Sequence, residues 1–153
     1  MKPLNHNAEW SLNGSAPDQG EVALLMIDVI NDLEFYEGEA LLQSALPMAE
    51  RLADLKNYFR QSGLPVIYAN DNFGKWKSDF RTQVQHCLQD SVRGQPVVKL
   101  LQPAEEDYFV LKPKHSAFYA TTLDVLLNHL FVKRLIITGM ATDICVLFTG
   151  NDA

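Results

Sequence analysis

Arg134-Leu135-Ile136-Ile137-Thr138-Gly139-Met140-Ala141-Thr142-Asp143-Ile144-Cys145-Val146 reads as a strand, a sharp turn and the start of a helix. Continuous β-rich apolar residues from Leu135 to Ile137 predict a buried parallel strand, and Gly139 through Asp143 predict the turn that follows it. Cys145 then stands near a helix N-terminus, where the partial positive charge of the helix end lowers a thiol pKa and backbone N–H groups can hold an oxyanion. The expected role is that of a nucleophile. Thr142 and Asp143 are the candidate caps of the helix that begins near Ile144.

Working outward, Val22–Ile27 is an apolar run ending in Asp28, the pattern of a central strand with a carboxylate at its C-terminal edge. Leu41, Ala45, Met48, Leu52, Leu55 and Phe59 draw one apolar stripe on a helix, with Pro47 expected in its first turn and Gly63 and Pro65 as its stop. Val66–Ala69 predicts a second strand, ending at Asn70, Asp71 and Asn72. A helix around Arg81 to Gln89 and loops carrying Gly94, Pro96 and Pro103 follow. Tyr108–Leu111 predicts a third strand, closed by Lys112 and Pro113. Thr121 or Thr122 caps the next helix, which carries Asp124 in its first turn and Leu123, Leu126, Leu127 and Leu130 on one face. Alternating strands and helices predict a three-layer α/β/α fold with a mainly parallel, Rossmann-like sheet. In such sheets the site lies outside the carboxyl ends of the strands, where Asp28, Asn70, Asp71, Lys112 and Cys145 all stand.

The 153 residues, 47% hydrophobic, suffice for one core. A formal charge of −6 without a basic cluster excludes the electrostatic footprint of a nucleic-acid binder. The longest apolar stretches fall far short of the roughly 18 to 20 residues that cross a bilayer, so no membrane partner is expected. The opening residues Met1 to Asn7 lack the apolar core of a signal peptide, which makes a cytoplasmic location the expectation. Two cysteines, Cys87 and Cys145, make no disulfide framework and are expected as reduced thiols, with Cys87 structural.

Three residues make chemical sense together. A nucleophilic cysteine gains from a base that takes its proton and a cation that favours the thiolate; Asp28 can supply the first and Lys112 the second. Lys114 rivals Lys112 only if the chain stays extended past Pro113. Phe73, Trp76, Phe118 and Tyr119 are candidates for an apolar pocket beside the thiol, with core or subunit contact as the alternative. Asn31 and Asp32 are expected to organise the loop after the first strand.

Residues 23–32, 110–118 and 139–146, taken in order, resemble the isochorismatase-like cysteine hydrolases, a family that includes nicotinamidases and N-carbamoylsarcosine amidase. The resemblance implies a catalytic triad of Asp28, Lys112 and Cys145, a cis peptide before Ala141, and an oxyanion hole formed by the N–H groups of Ala141 and Cys145. It implies hydrolysis of a non-peptide C–N bond in a small amide, carbamoyl or imide-like substrate through a thioester. Nicotinamidases carry an Asp-x-His stretch after the second strand with further metal-binding histidines. Here that stretch is Asp71-Asn72-Phe73, and the four histidines show no close ligand spacing, so neither a metal nor an organic cofactor is expected. Two alternatives stay open: a catalytically silent scaffold subunit and a thiol redox sensor.

Residues 1–20, rich in Asn, Gly, Pro and Ser, are expected to be a flexible lead-in to a domain spanning 21–153. Because few residues follow Cys145, the resemblance also implies a domain shortened at its C-terminus, without its last strand and helix units, and a homo-oligomer as the assembled form.

Overall fold

The computed structural model describes residues 20–153; the lead-in expected for residues 1–20 lies outside them, apart from Gly20. In chain order the elements are β1 (Val22–Ile27), α1 (Gly38–Gln61), β2 (Val66–Asp71), α2 (Phe80–Cys87), α3 (Gln95–Leu100), β3 (Tyr108–Lys112), α4 (Leu123–His129), β4 (Arg134–Gly139), a π-helical turn (Thr142–Val146) and α5 (Leu147–Asp152). The four strands of the described residues form one parallel sheet in the order β3-β2-β1-β4. An α/β sandwich of three layers results, as the alternation of elements predicts.

β1 runs through the middle because it is apolar on both faces. Leu24 and Met26 pack with Ala45, Ala49, Leu52 and Phe59 of α1, while Ala23, Leu25 and Ile27 pack with Leu123 and Leu127 of α4. Each of these β1 side chains is withdrawn from solvent, a burial worth about 2 kcal/mol for a large aliphatic residue. At the end of α1 the N–H of Leu64 bonds the Phe59 carbonyl (2.9 Å) and that of Gly63 bonds Arg60 (3.0 Å), with Gly63 at φ +65°, so the stop read at Gly63 is a left-handed C-terminal cap.

Several local readings are corrected. Among the described residues β4 pairs with β1 alone, and Ile136, expected on a buried strand, is 42% exposed. Pro47 lies inside α1, which begins nine residues earlier at Gly38, because the helix starts where Gly38 packs against the Leu33 carbonyl rather than at the proline. Pro96, expected in a loop, occupies the first turn of α3, where its missing N–H leaves no bond unmade. Buried Lys56 of α1 then closes the end of α3, donating to the carbonyls of Leu100 (3.2 Å) and Gln102 (3.1 Å). The Thr121 hydroxyl, and not that of Thr122, accepts from the N–H of Leu123 at the start of α4 (3.2 Å). Neither Thr142 nor Asp143 caps the turn after β4 with its side chain; the chain enters that turn from Ala141 as a π-helical widening.

The end of β4 is pressed against the end of β1. Gly139 has φ +122°, and a Cβ at this position meets the backbone of Ile27, whose carbonyl accepts from the N–H of Met140 (3.0 Å). Gly63→Ala, with open space around it, is expected to cost about 1 kcal/mol through its left-handed backbone alone. Gly139→Ala combines an unfavourable φ with a backbone clash and is expected to cost about 3 kcal/mol or more. Urea unfolding of the two variants beside the parent chain measures both; equal losses would show that β1 and β4 do not need this close approach.

Candidate active site

The register of the sheet brings four chemical groups to one edge. Ile27 pairs with Ala69 and with Gly139, and Asp71 pairs with Lys112, so the carboxyl ends of all four strands finish together. Asp28 leaves β1 in the left-handed region at φ +53°, a conformation that Asp tolerates better than most residues. Its N–H bonds the Ala69 carbonyl (3.0 Å), and its Oδ1 accepts from the N–H of Asp71 (2.7 Å). The loop after Asp28 is pinned by buried Asn70, whose Oδ1 accepts from the N–H of Ile30 (3.3 Å) and whose Nδ2 donates to the Ile30 carbonyl (2.6 Å). Asn31 and Asp32 turn the same loop by accepting from the N–H groups of Leu33 (2.9 Å) and Glu34 (3.0 Å).

Lys112 is the centre of the group. Its side chain is fully buried, with Nζ 2.8 Å from Asp28 Oδ2, 3.4 Å from Cys145 Sγ, 3.3 Å from the Lys114 carbonyl and 3.9 Å from Asp71 Oδ2. Lys114 itself is exposed, and its contact with the group is through that carbonyl. Asp28, Lys112 and Cys145 are therefore brought together from β1, β3 and the π-helical turn. Cys87 is buried elsewhere, in the core beside α1 and α3, where desolvation and the Asp32 charge push its thiol up to about 12.

The electrostatics differ from the expectation of an acidified thiol. Burial pushes the Cys145 thiol up, the negative charge and hydrogen bond of Asp28 push it further, and the Lys112 ammonium offsets this only in part, leaving it at about 11. Burial also raises the Asp28 carboxyl above its ordinary value, against the pull of Lys112. Burial alone depresses the Lys112 ammonium; the Asp28 charge and hydrogen bond, with Cys145 and Asp71, outweigh it and hold Lys112 above the ordinary lysine value. At neutral pH Cys145 is therefore a thiol, beside an Asp28 carboxyl of enhanced basicity and a Lys112 whose ammonium form is favoured.

A cavity of about 310 Å³ opens over Cys145, within the range of small-ligand sites. Asp28 and Asp71 form its floor with Cys145, while Phe35, Phe73 and Ile144 give it apolar walls. Of the four aromatic residues expected there, Phe73 alone lines it. Trp76 is 79% exposed beside a separate hollow near Pro113, Phe118 packs into the core with Leu123, and Tyr119 is exposed. Sequence reasoning missed Phe35, Leu41 and His115, whose Nδ1 lies 3.9 Å from Cys145 Sγ; only proximity in the fold marks them out. The peptide between Met140 and Ala141 is cis, and Ala141 lines the cavity next to Cys145. Among the described residues no group of three or more His, Cys, Asp or Glu side chains converges as a metal site.

The family profile described as the isochorismatase domain matches residues 22–153. The chain belongs to the isochorismatase family. An uncharacterised isochorismatase family protein of Bacillus subtilis, YaaI, is 43% identical over 135 residues, which cover 88% of this chain and 74% of that protein. Ureidoacrylate amidohydrolase RutB of Acinetobacter baylyi is 38% identical over 162 residues, covering 90% of this chain and 65% of RutB. Among solved structures, N-carbamoylsarcosine amidase of Thermoplasma acidophilum superposes with a TM-score of 0.64 at 26% identity, covering 88% of this chain and 76% of that one. This isochorismatase-like chain is thus a member of a hydrolase family that includes an amidase and an amidohydrolase. Among its described residues no helix is long and apolar enough to cross a membrane.

The charges around Cys145 set its reactivity. Iodoacetamide labelling of Cys145 is expected to rise with pH toward about 11, ahead of buried Cys87 throughout. Asp28→Asn removes the neighbouring negative charge and is expected to speed labelling at pH 8, whereas Lys112→Ala removes the cation and slows it. Peptide mass spectrometry reads both sites; slower labelling in Asp28→Asn would contradict the assigned electrostatics.

Proposed function

We propose that this isochorismatase-like hydrolase cleaves a non-peptide C–N bond in a small amide, carbamoyl or imide-like substrate through a thioester on Cys145. The observation that carries the reading is the buried Lys112 ammonium within contact distance of both Asp28 and Cys145, two residues that line one cavity. The similarity to RutB, an amidohydrolase, and to N-carbamoylsarcosine amidase supports the same class of substrate.

In this mechanism Asp28 takes the thiol proton as Cys145 Sγ forms a bond to the substrate carbonyl carbon. Its raised pKa makes it a better acceptor than an ordinary aspartate. Lys112 stays protonated and keeps positive charge beside both the carboxylate and the sulfur, so the transfer does not leave an uncompensated anion in a buried site. The N–H groups of Ala141 and Cys145 are assigned to the oxyanion. Collapse of the tetrahedral species breaks the C–N bond, and Asp28 returns the proton to the departing nitrogen. Water then attacks the thioester with Asp28 again as base, the C–S bond breaks, and the proton goes back to sulfur. A thiol at about 11 suits this assisted attack and does not suit the redox-sensor alternative, which needs a free thiolate near neutral pH.

The test is ammonia release from a panel of small amides and carbamoyl compounds. Cys145→Ala is expected to abolish turnover, and Asp28→Asn to lower it by about 10²- to 10⁴-fold. Asp28→Asn therefore separates thiol reactivity from catalysis, since the first rises as the second falls. The acid limb of kcat/KM is expected above the ordinary aspartate range, because activity is lost as pH falls through the raised Asp28 value. Activity is expected to survive exhaustive chelation, since Phe73 replaces the expected metal ligand; loss on chelation with recovery on adding one metal would overturn that assignment.

A further inference from the structure

The cavity over Cys145 does not end at the reacting atoms. A second cavity, of about 500 Å³, adjoins it, and Leu41, Met140 and Ala141 line both. Its remaining wall is the first half of α1, where Ala45 and Met48 are apolar and Ser44 is polar, and its rim is Thr142 and Asp143 of the π-helical turn. The N-terminal half of α1 thus faces the site rather than only the core.

The charge of the lining is one-sided. No lysine or arginine is among the described residues that line either cavity. The nearest cation, Lys112, is fully buried and engaged by Asp28, Cys145 and the Lys114 carbonyl, which leaves it no free face for a second anion. Asp28 and Asp71 face the first cavity and Asp143 the second; His115 stands on the thiol side. A carboxylate or phosphate on the substrate would lose water beside these like charges with no counter-cation to receive it. An apolar or hydroxylated tail loses nothing by lying against Leu41, Ala45 and Met48.

We infer that the two cavities form one groove for an elongated substrate that is neutral or cationic, with its reacting carbonyl at Cys145 and its remaining chain or ring along α1 past Ala141. The inference rests on the amide-hydrolase reading for the chemistry of the reacting end. It makes Ser44, Met48 and Asp143 specificity-determining positions.

Thiol-directed reagents test the groove without requiring turnover. Methyl, hexyl, aminoethyl and sulfonatoethyl methanethiosulfonates each transfer their alkylthio group to Cys145 Sγ: a disulfide bond forms, the reagent's own S–S bond breaks, methanesulfinate leaves and the thiol proton passes to solvent. Rates at Cys145, read on its peptide and divided by each reagent's rate with 2-mercaptoethanol, isolate the effect of the site. The hexyl and aminoethyl reagents are expected to react about tenfold or more faster than the sulfonatoethyl reagent. The hexyl rate is expected to exceed the methyl rate, Ser44→Phe to lower that hexyl-to-methyl ratio by filling the extension, and Asp143→Asn to raise the sulfonatoethyl rate. A sulfonatoethyl rate equal to the hexyl rate in the parent chain overturns the inference, as does an unchanged hexyl-to-methyl ratio in folded Ser44→Phe. Should Ser44→Phe not fold, the parent chain's two ratios decide. Preserved ratios in a chain that hydrolyses no amide would overturn the amidase reading alone, and ammonia release combined with fast sulfonatoethyl labelling would overturn the groove alone.

Discussion

The ammonium of Lys112 is the interaction on which the site depends. Withdrawing it from water costs several kcal/mol, and the structure offsets that with Asp28 at 2.8 Å, the Lys114 carbonyl and the Cys145 sulfur. Each partner comes from a different segment, so the pair is satisfied only when β1, β3 and the turn after β4 are in register. The same burial that makes the pair expensive makes it chemically useful. It raises the basicity of Asp28, the group to which the proposed mechanism assigns the thiol proton.

The sheet is built to deliver that register. β1 is apolar on both faces and holds the centre, with β2 and β4 on its two sides. Asn70 ties the loop after Asp28 to β2, and Gly139 lets the end of β4 approach the backbone of Ile27. Thr149 of α5 adds a further tie, accepting from the N–H of Ala117 (3.0 Å) and donating to the Cys145 carbonyl (2.7 Å). The loop that follows Lys112 is in this way fastened to the turn that carries Cys145.

Above the rigid floor the site is open and mostly apolar, with Phe35 and Phe73 on one side and α1 on the other. A site of this design places its precision at the reacting bond and leaves the rest of the substrate to shape and charge. Lys112 is engaged by Asp28, Cys145 and the Lys114 carbonyl, so in the proposed reading it offers nothing to an anionic tail, and the carboxylates at the margin discourage one. The proposed chemistry and the proposed selectivity both rest on the placement of one buried cation.

The strands around Asp28 and Lys112, the parallel α/β class and the stop of α1 at Gly63 were legible in the sequence, because they rest on local patterns: short continuous apolar runs, stripes on a period near 3.6, and glycine where φ is positive. The residues of the candidate group were legible for the same reason, since strand ends and their chemistry can be read one segment at a time. The place of Pro47 inside α1 and the departure of Trp76, Phe118 and Tyr119 from the thiol cavity were not legible. Each depends on which segments pack together, and no local period encodes that. The Cys145 thiol makes the point most directly. The sequence determined that a cysteine would stand at a turn after a strand, which by itself predicts a lowered pKa. Tertiary structure alone decided that it is partly buried beside a carboxylate that follows a strand more than a hundred residues earlier, and lost solvent and that negative charge raise the thiol instead.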